Sequence, residues 1–234
     1  MKNTVLMFGS IGVIAETSDI QRRAYNQALS EAGVEWHWDT ATYTELLEQS
    51  GGKERLSMLA AATGTTLSAA TIDRIHARKT ELAGEQVRSG ATGLRPGVLE
   101  LVALAKERDL RCAFVTSTYR PNIDAILGMQ GGQLVASDFD CIVTRADVER
   151  GKPAPDAYLH ALKHLAIDPS QALAIEDTAD SVMAAKRAGL TVIATPGQLS
   201  KGQDLWQADL VLDALAGGDG EIVPQVLALL GLGE

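Results

Sequence analysis

The 234-residue sequence predicts an α/β fold, a parallel sheet with helices on both faces and an all-helical block inserted after the first strand. Three observations carry that expectation. After Gly93, short apolar runs alternate with helix-length segments, the pattern of consecutive βα units in a parallel sheet. Near the start, the run Thr4-Val5-Leu6-Met7-Phe8 is broken by Gly9, Ser10 and Gly12 and followed by Glu16-Thr17-Ser18-Asp19, which reads as a buried strand feeding a loop and a helix start. Between the two regions, from Asp19 to about Gly90, the apolar spacing is helical and no strand stands out.

Taken in order, the first helix carries Ile20, Ala24, Ala28 and Leu29 on one face and ends at Gly33. Leu46-Leu47 mark a second helix, Leu56, Leu59 and Ala60 a third, and Ile72, Ile75, Leu82 and Val87 a long fourth. These helices define a cap domain over residues 17–90, set into a core domain made of 1–16 and 91–234. The chain crosses between the two around Ala15–Thr17 and Ser89–Thr92, where small residues and glycine can absorb a hinge rotation. In the core, Pro96-Gly97 opens a helix through Lys106. Strands are expected at Arg111–Val115, Cys141–Val143, Ala172–Ile175, Thr191–Ala194 and Leu210–Leu212, and the loop Gly217-Gly218-Asp219-Gly220 is a flexible spot before the last helix.

A hydrophobic content of 46% is enough for a substantial core. The net charge of −9, with no basic run or stripe, argues against nucleic-acid and membrane-surface binding, so any anionic ligand is held by a local positive site. The apolar stretch at the N-terminus is too short for a signal core or a membrane span, and the chain reads as cytoplasmic. Cys112 and Cys141 sit in strand-like runs without CxxC spacing and read as buried thiols. Nothing in the sequence identifies a protein partner.

In an open parallel sheet, ligands sit at the carboxyl ends of the strands, and three segments there carry usable chemistry. Phe114-Val115-Thr116-Ser117 offers hydroxyls and a backbone N–H to phosphoryl oxygens. In Arg150-Gly151-Lys152-Pro153-Ala154-Pro155-Asp156, a lysine held between glycine and proline before a helix places a point charge on a phosphate. Leu173-Ala174-Ile175-Glu176-Asp177 is a buried strand ending in paired acids, hard oxygen donors of the kind that suit Mg²⁺. His160 and His164 are spaced i, i+4, but Ala161 stands where a zinc hydrolase needs glutamate, so they read as a solvated helix face. Trp36 and Trp38 read as cap packing.

The order of these segments resembles the haloacid dehalogenase (HAD) superfamily of phosphohydrolases, whose first motif is apolar-Phe-Asp-x-Asp-Gly. Aligned on Phe8 and Gly12, the chain has Gly9 at the position of the nucleophilic aspartate and Ile11 at that of the acid/base aspartate. The helical insertion is similar to that of the β-phosphoglucomutase-like branch. Within it, Arg22-Arg23-Ala24-Tyr25-Asn26, Trp36-His37-Trp38 and Ser50-Gly51-Gly52-Lys53-Glu54-Arg55 resemble the CbbY-like sugar-bisphosphate phosphatases. The resemblance implies a phosphate site at Thr116, Ser117 and Lys152, and a distal phosphate grip from Lys53 and Arg55. It makes Arg120, in Thr118-Tyr119-Arg120-Pro121-Asn122, a further substrate contact. It also implies Mg²⁺ held by Asp177, Glu176 and the backbone carbonyl of Ile11, weakly or not at all once the first-motif carboxylates are gone. Gln21 stands where the family carries a histidine.

Glycine has no side chain to attack phosphorus and isoleucine no proton to give, so neither half of the aspartyl-phosphate mechanism has its residue. Losing an essential nucleophile costs on the order of 10⁶ in turnover. Ser10 is set to point away from the site by strand alternation, and Glu16 lies in the hinge. Two negative charges, each of which would cost a bound phosphate roughly 3 kcal/mol at about 5 Å and an effective dielectric near 20, are also absent. The sequence thus reads as a phosphatase fold that binds a small phosphorylated sugar without turning it over. A hydrolase with an unrecognised nucleophile and a purely structural role are the alternatives.

Overall fold

Val5–Phe8 form β1, and none of the four side chains retains any exposure. A strand covered on both faces has to be apolar at every position, which is why it appears in the sequence as a run and not as an alternation. In the computed structural model, which describes residues 4–9, 11–48, 51–129, 131–216 and 222–232, β1 lies at the centre of a six-stranded sheet. The other strands are β2 (Arg111–Val115), β3 (Cys141–Val143), β4 (Ala172–Glu176), β5 (Thr191–Ala194) and β6 (Leu210–Val211). Their order is β3-β2-β1-β4-β5-β6 and every pairing is parallel. Strands 111–115 and 5–8 are neighbours, with Leu6 opposite Cys112 and Leu173.

Helices α1 (Ile11–Ile14), α2 (Ser18–Glu31), α3 (Thr40–Leu46), α4 (Gly52–Thr63) and α5 (Ala69–Arg88) follow β1. The remaining helices, α6 (Val98–Glu107), α7 (Arg120–Leu127), α8 (Asp156–Leu165), α9 (Ala179–Arg187) and α10 (Ile222–Leu229), belong to the βα succession. Val5, Met7, Ala113 and Val115 share one face of the sheet with residues of α8 and α9. Leu6, Phe8 and Phe114 belong to a second cluster that takes in α6 and α10 and continues into α2, α3, α4 and α5. Cys112 and Cys141 are buried thiols in different clusters. Among the described residues, no helix is long and apolar enough to cross a membrane.

The helical insertion is braced from within. Asp39 caps α3 through Thr42 N–H, and Ser68 caps α5 through Thr71 N–H. The Trp38 ring packs between Tyr25 and Tyr43, with centroids 4.8 and 5.9 Å away. Asn26 reads the backbone of Trp38 in both directions, donating to its carbonyl and accepting from its N–H at 2.8 Å each. At the neck, Ala15 bridges Leu94 in antiparallel fashion, and Arg95 N–H donates to the Ile14 carbonyl at 2.7 Å. Gly217–Gly220, expected to be a flexible loop, lie outside the described residues.

Candidate functional site

The carboxyl ends of β1, β2 and β4 open onto a cleft whose far wall comes from α2, α4 and α5. That placement follows from the strand order. The chain runs from β1 through β2 to β3 on one side and then crosses back to place β4 on the other side of β1, and the crevice forms at that reversal of strand order. The sheet side contributes Gly9, Ile11, Thr116, Ser117, Lys152 and Asp177, and the helical side Gln21, Arg55, His76 and Lys79.

Thr116 and Ser117 leave the end of β2 with their hydroxyl oxygens accepting local N–H groups, of Thr118 at 3.1 Å and Lys152 at 2.9 Å. Each hydroxyl therefore keeps its O–H to donate to a ligand. Lys152 is only 4% exposed, and its ammonium, 3.3 Å from the Tyr158 hydroxyl, has three protons and three closer acceptors. These are the Gly9 carbonyl at 2.6 Å, the Val115 carbonyl at 3.0 Å and Glu176 Oε1 at 2.5 Å.

Glu176 ends β4 and is fully buried. Its Oε1 accepts from Lys152 and from the Tyr158 hydroxyl, while its Oε2 has no hydrogen-bond partner among the described residues. Burial pushes its carboxyl up from the usual range against the pull of Lys152, and pushes the Tyr158 phenol well above 10. A side chain at position 9 would meet this group, because a Cβ built on Gly9 falls on the Glu176 carboxylate and the Tyr158 hydroxyl. The Glu176 carboxylate occupies the space that glycine leaves open.

On the helical side, Arg55 is buried, donates from Nε to the Leu46 carbonyl at 2.6 Å and lies 5.5 Å from the Tyr43 ring centre. Lys79 is buried too, with its ammonium 2.6 Å from Gln21 Oε1 and 4.9 Å from the centre of the Tyr25 ring. Among the described residues no carboxylate lies in ion-pair range of Lys79. Burial, helped by Arg55, brings its ammonium down to about 7. Burial first, then the charges of Lys79, Lys53 and Arg55, bring His76 down to about 3, so the imidazole is neutral. Gly52 lets the start of α4 approach closely, since a Cβ there would press on the Tyr25 hydroxyl and the His76 ring.

Other sequence-derived candidates lie elsewhere. Lys53 pairs with Asp73 at 2.6 Å and sits over the Tyr119 ring, outside the cleft lining. Arg120 is exposed and pairs with Asp124 at 2.7 Å. Glu16 accepts from Gln198 N–H at 2.6 Å and does not line the cleft, and Ser10 lies outside the described residues. His160 and His164 are exposed on α8, and Trp38 is core packing.

Of the donors expected to hold Mg²⁺, two are engaged within the chain. Glu176 is committed to Lys152 and Tyr158, and the Ile11 carbonyl accepts Ala15 N–H at 2.8 Å. Asp177 lines the cleft, folded across Gly12, with Asp180 on the same wall. Among the described residues no three His, Cys, Asp or Glu side chains converge.

Residues of this site missed in the sequence include Lys79, His76, Tyr158 and Arg95. Lys79 had a readable signal, a charge on the stripe Ile72-Ile75-Leu82 that α5 buries. Tyr158 had none beyond lying in an apolar helix. Arg95 donates to the Gly12 carbonyl at 2.9 Å and to the Thr195 carbonyl and hydroxyl at 3.0 Å each, contacts between residues far apart in the chain.

Comparison with known proteins places this geometry. The haloacid dehalogenase-like hydrolase family model matches residues 4–189. Protein CbbY of Rhodobacter capsulatus is 35% identical over 97% of this chain and 100% of its own. The crystal structure of CbbY from Rhodobacter sphaeroides in complex with phosphate superposes with a TM-score of 0.86 at 35% identity, covering 99% of this chain and 100% of that one. A mutant of the same protein in complex with xylulose-(1,5)bisphosphate gives a TM-score of 0.86 over 95% and 98%.

Proposed function

The chain belongs to the haloacid dehalogenase-like hydrolases, among relatives of the CbbY type, and from that membership we propose that it binds a phosphorylated sugar in this cleft without forming an aspartyl-phosphate. One observation carries the reading. The cleft sets the buried cations Arg55 and Lys79 and the donor hydroxyls of Thr116 and Ser117 around a position, Gly9, that has no nucleophile. The ligand class is supported by the relatives crystallised with phosphate and with xylulose-(1,5)bisphosphate.

Binding and turnover separate here for a physical reason. Anion capture needs cations and hydroxyl donors, which remain, whereas phosphoryl transfer needs a carboxylate at position 9 and a proton donor at position 11. Glu176 does not replace the nucleophile, because it is fully buried, held by two partners and absent from the cleft wall. With the usual metal donors missing or engaged, binding is independent of Mg²⁺.

Calorimetric titration with phosphorylated sugars, with and without Mg²⁺, tests the proposal. Binding is expected with equal affinity in both conditions, and a ligand at a hundred times its Kd should raise stability by about 2.7 kcal/mol. Lys79→Met should weaken it at least tenfold. Phosphatase assays should show nothing above a Lys152→Ala control. A turnover of about 1 s⁻¹, in the ordinary enzyme range, would overturn the reading.

A further inference from the structure

We infer that the Glu176 carboxylate closes the sheet end of the cleft to phosphate, so that the chain takes a sugar with a single phosphoryl group, seated against Arg55 and Lys79, in preference to a bisphosphate. The inference rests on the proposed ligand class and narrows it.

The first ground is spatial. A Cβ on Gly9 would fall on the Glu176 carboxylate, so the space freed by the missing side chain is already filled by a group of this chain. The second is the state of Lys152, the cation of the sheet end. All three of its ammonium protons are directed at acceptors within 3.0 Å, those of Gly9, Val115 and Glu176. No proton is left for a phosphoryl oxygen, and the positive charge is matched by a carboxylate at 2.5 Å. The third is the acidic character of the wall. Asp177 and Asp180 line the same end of the cleft, so a phosphate there meets carboxylates and a neutralised lysine.

The helical end has the opposite character. Arg55 and Lys79 are both buried, and Lys79 is held by the neutral Gln21 and the Tyr25 ring. A buried amine whose close partners are neutral and whose ammonium titrates at about 7 regains its full charge beside an anion, which favours binding one there. A ligand with one phosphate satisfies it and can turn its hydroxyls toward Thr116, Ser117 and Asp177. A second phosphate at the far end has to break the Lys152–Glu176 pair or face the acids.

The experiment is calorimetry on the full chain with matched probes, glucose 6-phosphate against glucose 1,6-bisphosphate and fructose 6-phosphate against fructose 1,6-bisphosphate. In the wild type each monophosphate should bind as tightly as its bisphosphate, within threefold, or more tightly. In Glu176→Ala, which vacates the space and releases Lys152, bisphosphate affinity should rise at least tenfold while monophosphate affinity stays within threefold. Should that variant not fold, Glu176→Gln keeps the volume and removes the charge, and a rise of at least threefold is expected. A bisphosphate bound more than threefold tighter by the wild type, or no rise in the folded variant, overturns the inference and leaves the proposed function standing. No binding of any probe by the wild type would instead sink both.

Discussion

Gly9 is where a single residue changes the most. The glycine leaves position 9 without a side chain and simultaneously admits Glu176, so placing a side chain there requires the pair to move apart. Gly9→Asp is therefore expected to lower stability by about 1–3 kcal/mol, the usual cost of overpacking, read as a shift in denaturant midpoint. With Ile11→Asp added, the site regains an attacking carboxylate and an acid, and Mg²⁺-dependent hydrolysis of small phosphate esters should appear. A folded but silent double variant would mean that positions beyond the first motif also set the activity, with Gln21 the next one to test. Lys79 supplies a pH signature. Its folded value, about 7, lies below the ordinary lysine value of 10.5, so between these limits the unfolded chain binds the extra proton and stability rises with pH. Relative to Lys79→Met, the wild type should gain about 1.4 kcal/mol per pH unit at most over pH 7–9, and curves that stay parallel would contradict it.

Elements are joined here by a few polar clamps that tie loops to helices. Arg95, just past the neck, holds the carbonyl of Gly12 in α1 and the end of β5 at Thr195 together, so its removal leaves several carbonyls without a donor. Arg95→Ala is expected to cost about 2–3 kcal/mol and to loosen the loop that carries Gly9, seen as faster amide exchange at residues 11–15. Within the insertion, Asn26 fixes the segment before α3 by its two bonds to Trp38, and Trp38 fills the space between α2 and α3. Asn26→Leu should cost about 1–3 kcal/mol by orphaning the Trp38 backbone, and Trp38→Ala about 3–5 kcal/mol by opening a cavity. A thermal-melt series reads both, and a neutral Trp38→Ala would show that the insertion repacks freely.

At the scale of the molecule, the issue is whether the helical wall moves against the sheet. The chain passes between them twice, through residues 15–17 and 89–94, and the two passages are tied by the Ala15–Leu94 bridge and by Thr92 donating to the Glu16 carbonyl at 3.0 Å. A hinge at this neck would open the cleft by rotation while a hydrophobic cluster shared by insertion and sheet draws it shut. Saturating glucose 6-phosphate is expected to reduce the radius of gyration in solution scattering. An unchanged profile with bound ligand would make the closed arrangement the resting one and dispose of the hinge.

Periodicity alone was enough for the parallel sheet and the inserted helices, because a buried strand must be apolar throughout and a helix must repeat its apolar face every three to four residues. The chemistry at the strand ends also pointed Thr116, Ser117, Lys152 and Asp177 to one cleft, since the topology gathers those segments at the switch point, whereas Arg55, which faces them, was expected only from the family resemblance. The absence of a carboxylate at Gly9 and Ile11 was legible directly, as were the two stacked acids at the end of β4. What those acids do was not. Glu176 and Asp177 are adjacent in sequence, yet one turns into the core to meet Lys152 and Tyr158 and fill the space beside Gly9, and the other lies across Gly12 into the cleft. Lys79 and Gln21, 58 positions apart, become partners only when α2 packs on α5, and Arg95 reaches Thr195 across 100 positions. Pairings of that kind depend on where whole elements come to rest, which long-range packing decides, while the pattern along the chain records only which face each element must hide from water.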